Sequence, residues 1–520
     1  MRTPTPRDHQ LLAGDQHAAS VRRRTFLGGV AGTTAAGLAG LSLLTAPSAV
    51  PAPAAPAIPG TDTDPLDLLK RMLSFDTQNF GTGASTRPHA EMLREVWTRA
   101  GVPVEIIDTP QPNNVHLIAR IPGTGRADPL LLLGHSDVVP VELENWTADP
   151  FSGEVRNGEI YGRGALDMKG ANAASIAALL RHLSEGARFD RDIIVLTDCD
   201  EEAGSFGSRW LAANYWDKLD AGSVLTEGGW FLAQEDQTTP MLISATRQDK
   251  VYFNIDLIAR GTATHSSKPL SDAAIVTLAR AVAKLGDWQA PVYLTDVTRE
   301  YFRALAEATR NRGFAQALRR MLEARNPQML DRWARMVIAK SPYPALHSAL
   351  LRTTHAFVIE NAGYKENVIP SSAEARLNCR AIPGGQKPRE FLAQVRDRLS
   401  GKDVEVRIAA PEGVSEEDYL ATLDQTWATP PADTNTDLFR ALKTAARKTY
   451  PGARFTPALF EAGTSLAPWR DRGIPGYGVY PYVLSNEQLI GMHGNDERIF
   501  TAALEQGTNY MYSVFSGFRV

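Results

Sequence analysis

The stretch Leu130-Leu131-Leu132-Leu133-Gly134-His135-Ser136-Asp137 decides how this chain folds. Four consecutive leucines leave no polar face, so the segment reads as a strand buried on both sides, as in a parallel sheet. It ends on an imidazole and a carboxylate. Two further apolar runs end in the same way. Residues 193–196 lead to Asp200, Glu201 and Glu202, and residues 224–225 lead to Thr226 and Glu227. Open α/β sheets carry their sites at the carboxyl ends of such strands. The three runs therefore bring one imidazole and several carboxylates to one sheet edge, which is the layout of a metal-dependent hydrolase.

Working outward, a Gly-rich turn at residues 161–164 is followed by Asp167 and Gly170. Ile176, Leu179, Leu180 and Leu183 then recur at helical spacing. Helices are expected over 64–75 and 88–100, and a strand over 115–121. This succession predicts an α/β catalytic domain with a mainly parallel sheet flanked by helices. From about residue 250 the pattern changes. Val251, Phe253, Ile255 and Leu257 alternate with polar or small residues, as do Ala375, Leu377 and Cys379, which predicts an antiparallel sheet with one covered face. A helix is expected over 273–285 and a long Arg-rich helical stretch over 299–338. The catalytic domain is thus discontinuous, 59–247 and 429–520, around an inserted α+β lid or dimerisation domain at 248–428.

Residues 1–58 read as a targeting segment and spacer. Arg22-Arg23-Arg24-Thr25-Phe26-Leu27 precedes a mildly apolar, Gly/Ala-rich stretch and then an Ala/Pro-rich run, the pattern of a twin-arginine export signal. The apolar stretch is barely long enough to span a membrane and its small residues are poorly hydrophobic, which argues against a retained anchor. The expected location is periplasmic or secreted, with no stable membrane insertion after cleavage. The net charge of -4 gives no electrostatic case for nucleic acid. Two cysteines, Cys199 and Cys379, exclude a disulfide framework and a four-cysteine zinc site. They are expected to be separate buried thiols.

Two divalent metal ions bridged by a carboxylate need one shared oxygen ligand, with imidazole and carboxylate groups completing each shell. His135, Asp167, Glu202, Glu227 and His493 are the candidate ligands. Asp137 lies two residues after His135 on the same extended segment, so its carboxylate is expected to orient that imidazole. Glu201 is the candidate general base. A lone His-x-Asp is usually a surface pair and a lone Asp-Glu-Glu a solvated turn. It is their placement after two apolar strands, with Asp167 in a Gly-rich loop between them, that carries the reading. His493 sits in Gly491-Met492-His493-Gly494, ahead of a helix expected from about residue 496.

The blocks around His135, residues 162–170 (Gly-Arg-Gly-Ala-Leu-Asp-Met-Lys-Gly), residues 200–205 (Asp-Glu-Glu-Ala-Gly-Ser), Glu227-Gly228-Gly229 and Met492-His493-Gly494 resemble the signatures of metallopeptidase family 20. That dinuclear zinc family includes aminoacylases, carboxypeptidase G, succinyl-diaminopimelate desuccinylase and carboxypeptidase S-like N-acyl-amino-acid hydrolases. The resemblance runs from about residue 64 to the C-terminus. It implies that Asp167 bridges two metals, zinc with cobalt or manganese as alternatives. His135 and Glu227 would serve one ion, Glu202 and His493 the other, with Glu201 as proton acceptor and donor. It also implies that His265, in residues 261–267 (Gly-Thr-Ala-Thr-His-Ser-Ser), reaches a neighbouring active site in a homodimer formed through the lid. Asn367 and Arg380 would meet the scissile carbonyl and the substrate carboxylate. One departure stands out: residues 463–467 read Gly-Thr-Ser-Leu-Ala where many relatives have Gly-Thr-Asp-x-Arg, so an acid and a base are missing.

The expected activity is hydrolysis of an amide next to a free carboxylate, in an N-acyl-amino acid or a small peptide. A narrow deacylase of the desuccinylase or acetylornithine deacetylase kind, and a catalytically silent binding protein on the same fold, stay open at this point. So does the reverse reaction, condensation of a fatty acid with an amino acid.

Overall fold

The leucines of residues 130–133 alternate between two cores. In the computed structural model, which describes residues 63–520, Leu130 and Leu132 pack into one apolar cluster, whereas Leu131 and Leu133 pack into another on the opposite face of the sheet. Helices Lys169–Ser184 and Thr501–Ser516 cover the first face; Ser208–Asn214, Trp216–Leu219 and Trp469 cover the second. Burial on both sides is the reason the run lacks polar alternation. Each such leucine contributes roughly 1.5–3 kcal/mol, and an acid at Leu131 would leave a charge in the second core with no partner. The expected signal and spacer, residues 1–58, lie outside the described residues. Among the described residues no helix is long and apolar enough to cross a membrane.

The large sheet has ten strands and is mixed at its margins. Its centre is parallel, with Ile193–Asp198, Leu130–His135, Ser223–Thr226 and Gly476–Gly478 side by side in that order. Val115–Ile121 joins antiparallel to Ile193–Asp198 and carries Val104–Asp108 at the edge. On the other side Pro240–Asp249 accepts Arg454–Phe460 in parallel. Helices Pro65–Leu73 and Arg87–Arg99 lie where the sequence puts them, the first capped by Asp64 Oδ1 accepting from Leu66 N–H at 2.8 Å.

The inserted sheet is antiparallel throughout, in the order Thr354–Ala362, Ser372–Ala381, Val251–Arg260, Val404–Ile408. Its inward residues pack under helices Ala274–Gly286 and Pro388–Leu399 in a core of their own. Cys379 belongs to that core and Cys199 lies at the end of a large-sheet strand; both thiols are free and buried.

The long helical stretch expected at 299–338 is three helices, Asp296–Ala308, Arg312–Leu322 and Pro327–Lys340. The breaks have a local cause. Asn311 and Asn326 turn their side chains onto the N–H groups of Phe314 and Met329, both at 2.9 Å, and Pro327 opens the third helix. Apolar residues of this block, among them Tyr301, Phe302, Leu305, Phe314 and Leu318, join the core of the large sheet and not that of the inserted one. The segment 248–428 is therefore not one body: residues 251–290 and 373–423 share the lid core, and the helices between them seal the large sheet. The helix expected from residue 496 begins at Thr501, after a short strand Arg498–Phe500 that pairs with Glu159–Tyr161.

Candidate metal centre

Strand ends deliver the site. His135 closes Leu130–His135; Glu201 and Glu202 follow Ile193–Asp198 in a turn; Glu227 follows Ser223–Thr226. Thr226 Oγ1 donates to the Leu133 carbonyl at 2.7 Å and Ser136 N–H to the Asp198 carbonyl at 2.8 Å, which fixes the ends side by side. Asp167 arrives on the Gly-rich loop. That loop is shaped by Glu497, whose Oε1 accepts from the N–H groups of Gly164 (3.1 Å), Leu166 (2.8 Å) and Asp167 (3.1 Å). Arg163 donates to Glu497 Oε2 at 2.5 Å and to the His493 carbonyl at 3.2 Å. One buried acid thus sets the Asp167 loop directly and the His493 turn through Arg163. His493 itself has a φ of 61°, a left-handed conformation uncommon outside glycine.

Asp167 faces both imidazoles, one with each oxygen. His135 Nε2 lies 3.1 Å from Oδ1 and His493 Nε2 lies 3.0 Å from Oδ2. Glu227 Oε2 is 3.7 Å from His135 Nε2, and Glu202 Oε1 is 3.3 Å from His493 Nε2. Two triads result, His135–Asp167–Glu227 and His493–Asp167–Glu202, with ligand atoms within 4.8 Å of one another and Asp167 common to both. Glu201 joins His135 and Glu202 in a third such group. All five candidate ligands and Glu201 are therefore brought together. His135, Asp167 and Glu227 are buried, while the His493 side chain remains 45% exposed.

The donor set fits divalent cations. His135 Nδ1 lies 2.9 Å from the Asp137 carbonyl oxygen, which only accepts, so that nitrogen carries the hydrogen. Neutral, the ring then turns the Nε2 lone pair towards the carboxylates of Asp167 and Glu227, an arrangement that calls for a cation between them. Glu202 Oε1 is buried without a hydrogen bond. Imidazole nitrogen with carboxylate oxygen suits zinc, cobalt or manganese. The electrostatics agree. Burial, then the facing charges of Glu227 and Glu202, pushes Glu201 well above the usual carboxylate range. Burial and Asp167 push Glu227 up to about 7. Burial alone would raise Asp167 too, but the imidazoles of His135 and His493, cationic when Nε2 carries a proton, outweigh it and hold that carboxyl well below its ordinary value; a bound cation would take the place of those protons. Such displacements cluster at functional sites.

Asp137 differs from expectation. Its backbone carbonyl, not its carboxylate, holds the His135 imidazole; Asp137 Oδ1 is 3.6 Å from Nδ1. The carboxylate instead accepts from Glu201 N–H at Oδ1 and Glu202 N–H at Oδ2, both at 3.1 Å. It therefore positions the turn that carries the candidate base and a candidate ligand. Asn79 completes this arrangement by donating to Asp137 Oδ2 at 2.9 Å and Asp200 Oδ1 at 2.6 Å. Asn79, Glu497 and Tyr480, whose hydroxyl contacts Asp167 and Glu227, were not evident from the sequence. Asn79 and Glu497 sit in irregular segments without periodicity, and Tyr480 lies in an apolar run that reads as core.

A cleft of about 740 Å³ opens beside Glu201 between the large sheet and the lid, lined among others by Lys250, Tyr252, Thr422, Gly463 and Arg470. The loop at 463–467 that lacks an acid and a base borrows both from nearby. Arg470 forms a two-point ion pair with Asp249, Nη2 to Oδ1 at 2.9 Å, and Thr464 Oγ1 donates to Asp249 Oδ2 at 2.6 Å. Arg380 lies over the Tyr252 ring, 5.4 Å from its centroid, near Gly463. His265 and Asn367 occupy a separate two-stranded piece of the lid, where His265 pairs with Val368 and Ser266 N–H donates to the Asn367 carbonyl at 3.0 Å. Both side chains are exposed and neither lines the cleft.

Residues 131–516 match the model of peptidase family M20/M25/M40. The chain belongs to that family. Among its relatives, a probable carboxypeptidase S-like 2 of Dictyostelium discoideum is 28% identical over 390 residues, 74% of this chain and 70% of the relative. The human N-fatty-acyl-amino acid synthase/hydrolase PM20D1 is 27% identical over 390 residues, 74% of this chain and 73% of the relative. In fold the chain is similar to the M20 family metallo-carboxypeptidase Sso-CP2 of Sulfolobus solfataricus, with a TM-score of 0.61 at 20% identity over 88% of this chain and 99% of that one. Human carnosine dipeptidase 1 superposes with a TM-score of 0.58 at 16% identity, covering 88% and 99%.

Proposed function

We propose that this family member is a metal-dependent hydrolase that cleaves the amide of an N-acyl-amino acid or small peptide next to a free carboxylate. The observation that carries the reading is Asp167, shared between two imidazole–carboxylate triads with Glu201 beside them. Two divalent ions, zinc foremost, would be held by His135, Asp167 and Glu227 on one side and by His493, Asp167 and Glu202 on the other. When bound, they supply positive charge that acidifies water and stabilises the oxyanion of the tetrahedral state. Glu201, raised well above the usual carboxylate range by burial, takes the proton from the attacking water and returns it to the departing amine. Asp137 and Asn79 hold the Glu201 turn in place. Among the described residues Arg380 makes no ion pair, although the buried Glu461 faces it at longer range, and its guanidinium is the group we assign to the substrate carboxylate. Arg470 is already neutralised by Asp249.

The reading extends to assembly and location. Thr354–Ala362 is an edge strand of the lid sheet with Val358 and Ile359 exposed, a surface suited to pairing with a second copy. In such a homodimer the exposed His265 would serve the partner's cleft. The Arg22-Arg23-Arg24 segment supports export to the periplasm or beyond.

The test is a hydrolysis screen of N-acyl-amino acids and dipeptides with the full chain loaded with zinc, cobalt or manganese. Release of free amino acid from at least one class is expected. A protein that holds two ions yet hydrolyses nothing across the screen would be a silent binding protein on this fold.

A further inference from the structure

Gly476–Gly478 pairs in parallel with Ser223–Thr226, so the residues after it arrive at the same sheet edge as Glu227. Among those residues is Tyr480. Its ring is buried and lies flat on Trp230, with centroids 4.6 Å apart and planes 7° apart. Trp230 is anchored in turn by donation from Nε1 to Glu461 Oε1 at 2.8 Å. The close approach depends on glycine: a Cβ at Gly478 would lie 1.8 Å from the Glu227 carbonyl oxygen. With the backbone drawn in this far, the Tyr480 hydroxyl ends 2.6 Å from Glu227 Oε2 and 2.9 Å from Asp167 Oδ1.

A phenol carries one proton. Both neighbours are carboxylate oxygens of the His135 triad, so the hydroxyl satisfies one of them and the other needs positive charge close by. A proton on His135 Nε2, 3.1 Å from Asp167 Oδ1, supplies it in the ion-free chain, and a cation held in that triad would supply it in its place. We propose that Tyr480 is a positioning residue of the metal centre, its hydroxyl holding Glu227 Oε2 and Asp167 Oδ1 in register for the ion on the His135 side. The inference rests on the metal-centre reading above. Tyr482 provides an internal comparison: it is equally buried, but its hydroxyl donates to the Leu166 carbonyl at 2.7 Å and makes no hydrogen bond to a ligand side chain.

Tyr480→Phe keeps the ring on Trp230 and removes only the hydroxyl. In a chelator titration of the metal-loaded full chain, one of the two ions should bind about 10- to 100-fold more weakly, the usual effect of losing an outer partner of a ligand. The second ion should be unchanged, and Tyr482→Phe should match wild type. With cobalt, the absorption of one site should shift in Tyr480→Phe alone. If Tyr480→Phe does not fold, wild type carries the test: metal loading should perturb its near-ultraviolet tyrosine absorption, and an unperturbed spectrum overturns the assignment. Wild-type affinity for both ions in Tyr480→Phe, or an equal loss in Tyr482→Phe, overturns it while leaving the metal centre standing. A wild-type chain that takes up no ion overturns both.

Discussion

Arg163 donates to Glu497 at 2.5 Å with 2% and 0% of the two side chains exposed, and this pair joins the loop of Asp167 to the turn of His493. Removing one partner of a buried ion pair costs about 3–5 kcal/mol because the other charge is left stranded. Glu497→Ala should therefore lower stability by that amount in denaturant titration. The same variant should lose metal, since two of the three candidate ligands of the His493 side, Asp167 and His493, depend on the pair.

Asp167→Ala removes the only carboxylate common to both triads. Two cations would then face each other without shared negative charge, and metal analysis should give well below two ions per chain. Two retained ions would show that another group makes the bridge.

Glu201→Gln keeps size and removes basicity. Metal content should persist while turnover falls by at least about 10²-fold, the lower end for loss of a general base. Near-normal turnover would remove Glu201 from the reaction.

If the lid of a second copy brings His265 to the cleft as a hydrogen-bond donor to the oxyanion, His265→Ala should keep both metals and lose about 10²- to 10³-fold in turnover. Because His265 is exposed in its own chain, mixed dimers of His265→Ala with Glu201→Gln should recover part of the activity. Verified mixed dimers without recovery would argue against action across subunits.

His347 offers a pH test far from the metals. It is buried between Tyr301 and Ser341, and burial lowers its pKa from 6.5 to about 3. Between those values the unfolded chain binds a proton that the folded chain does not, so stability must fall as pH falls through this window. From pH 6.5 to 4 the loss is on the order of 3 kcal/mol. Urea titrations of wild type and His347→Gln should show a shallower acid slope in the variant; identical slopes would refute this.

The large sheet and its ligands were legible because their signals are local. Residues 130–133 announce a doubly covered strand, and His135, Glu202 and Glu227 stand within a few residues of such runs. What escaped the sequence depends on tertiary proximity. Spacing alone assigns the Asp137 carboxylate to His135, yet the neighbouring turn offers that carboxylate two N–H donors, and the backbone carbonyl takes the imidazole. Asp249 and Arg470 are 221 residues apart and meet only in the folded cleft. The stretch 299–338 carries one amphipathic pattern, but its asparagine caps divide it and its apolar face belongs to another core.

That division governs how the molecule can be rearranged. The chain moves between the two cores near residues 250, 291, 353 and 430, and reaches back to the large-sheet core at Ile382. Excising 248–428 as a single cassette would strip the helices Asp296–Ala308, Arg312–Leu322 and Pro327–Lys340 from the flank of the large sheet and expose its apolar surface. A lid transplant between homologues would have to exchange two separate pieces, about 251–290 and 354–428, and leave the intervening helices with the catalytic body.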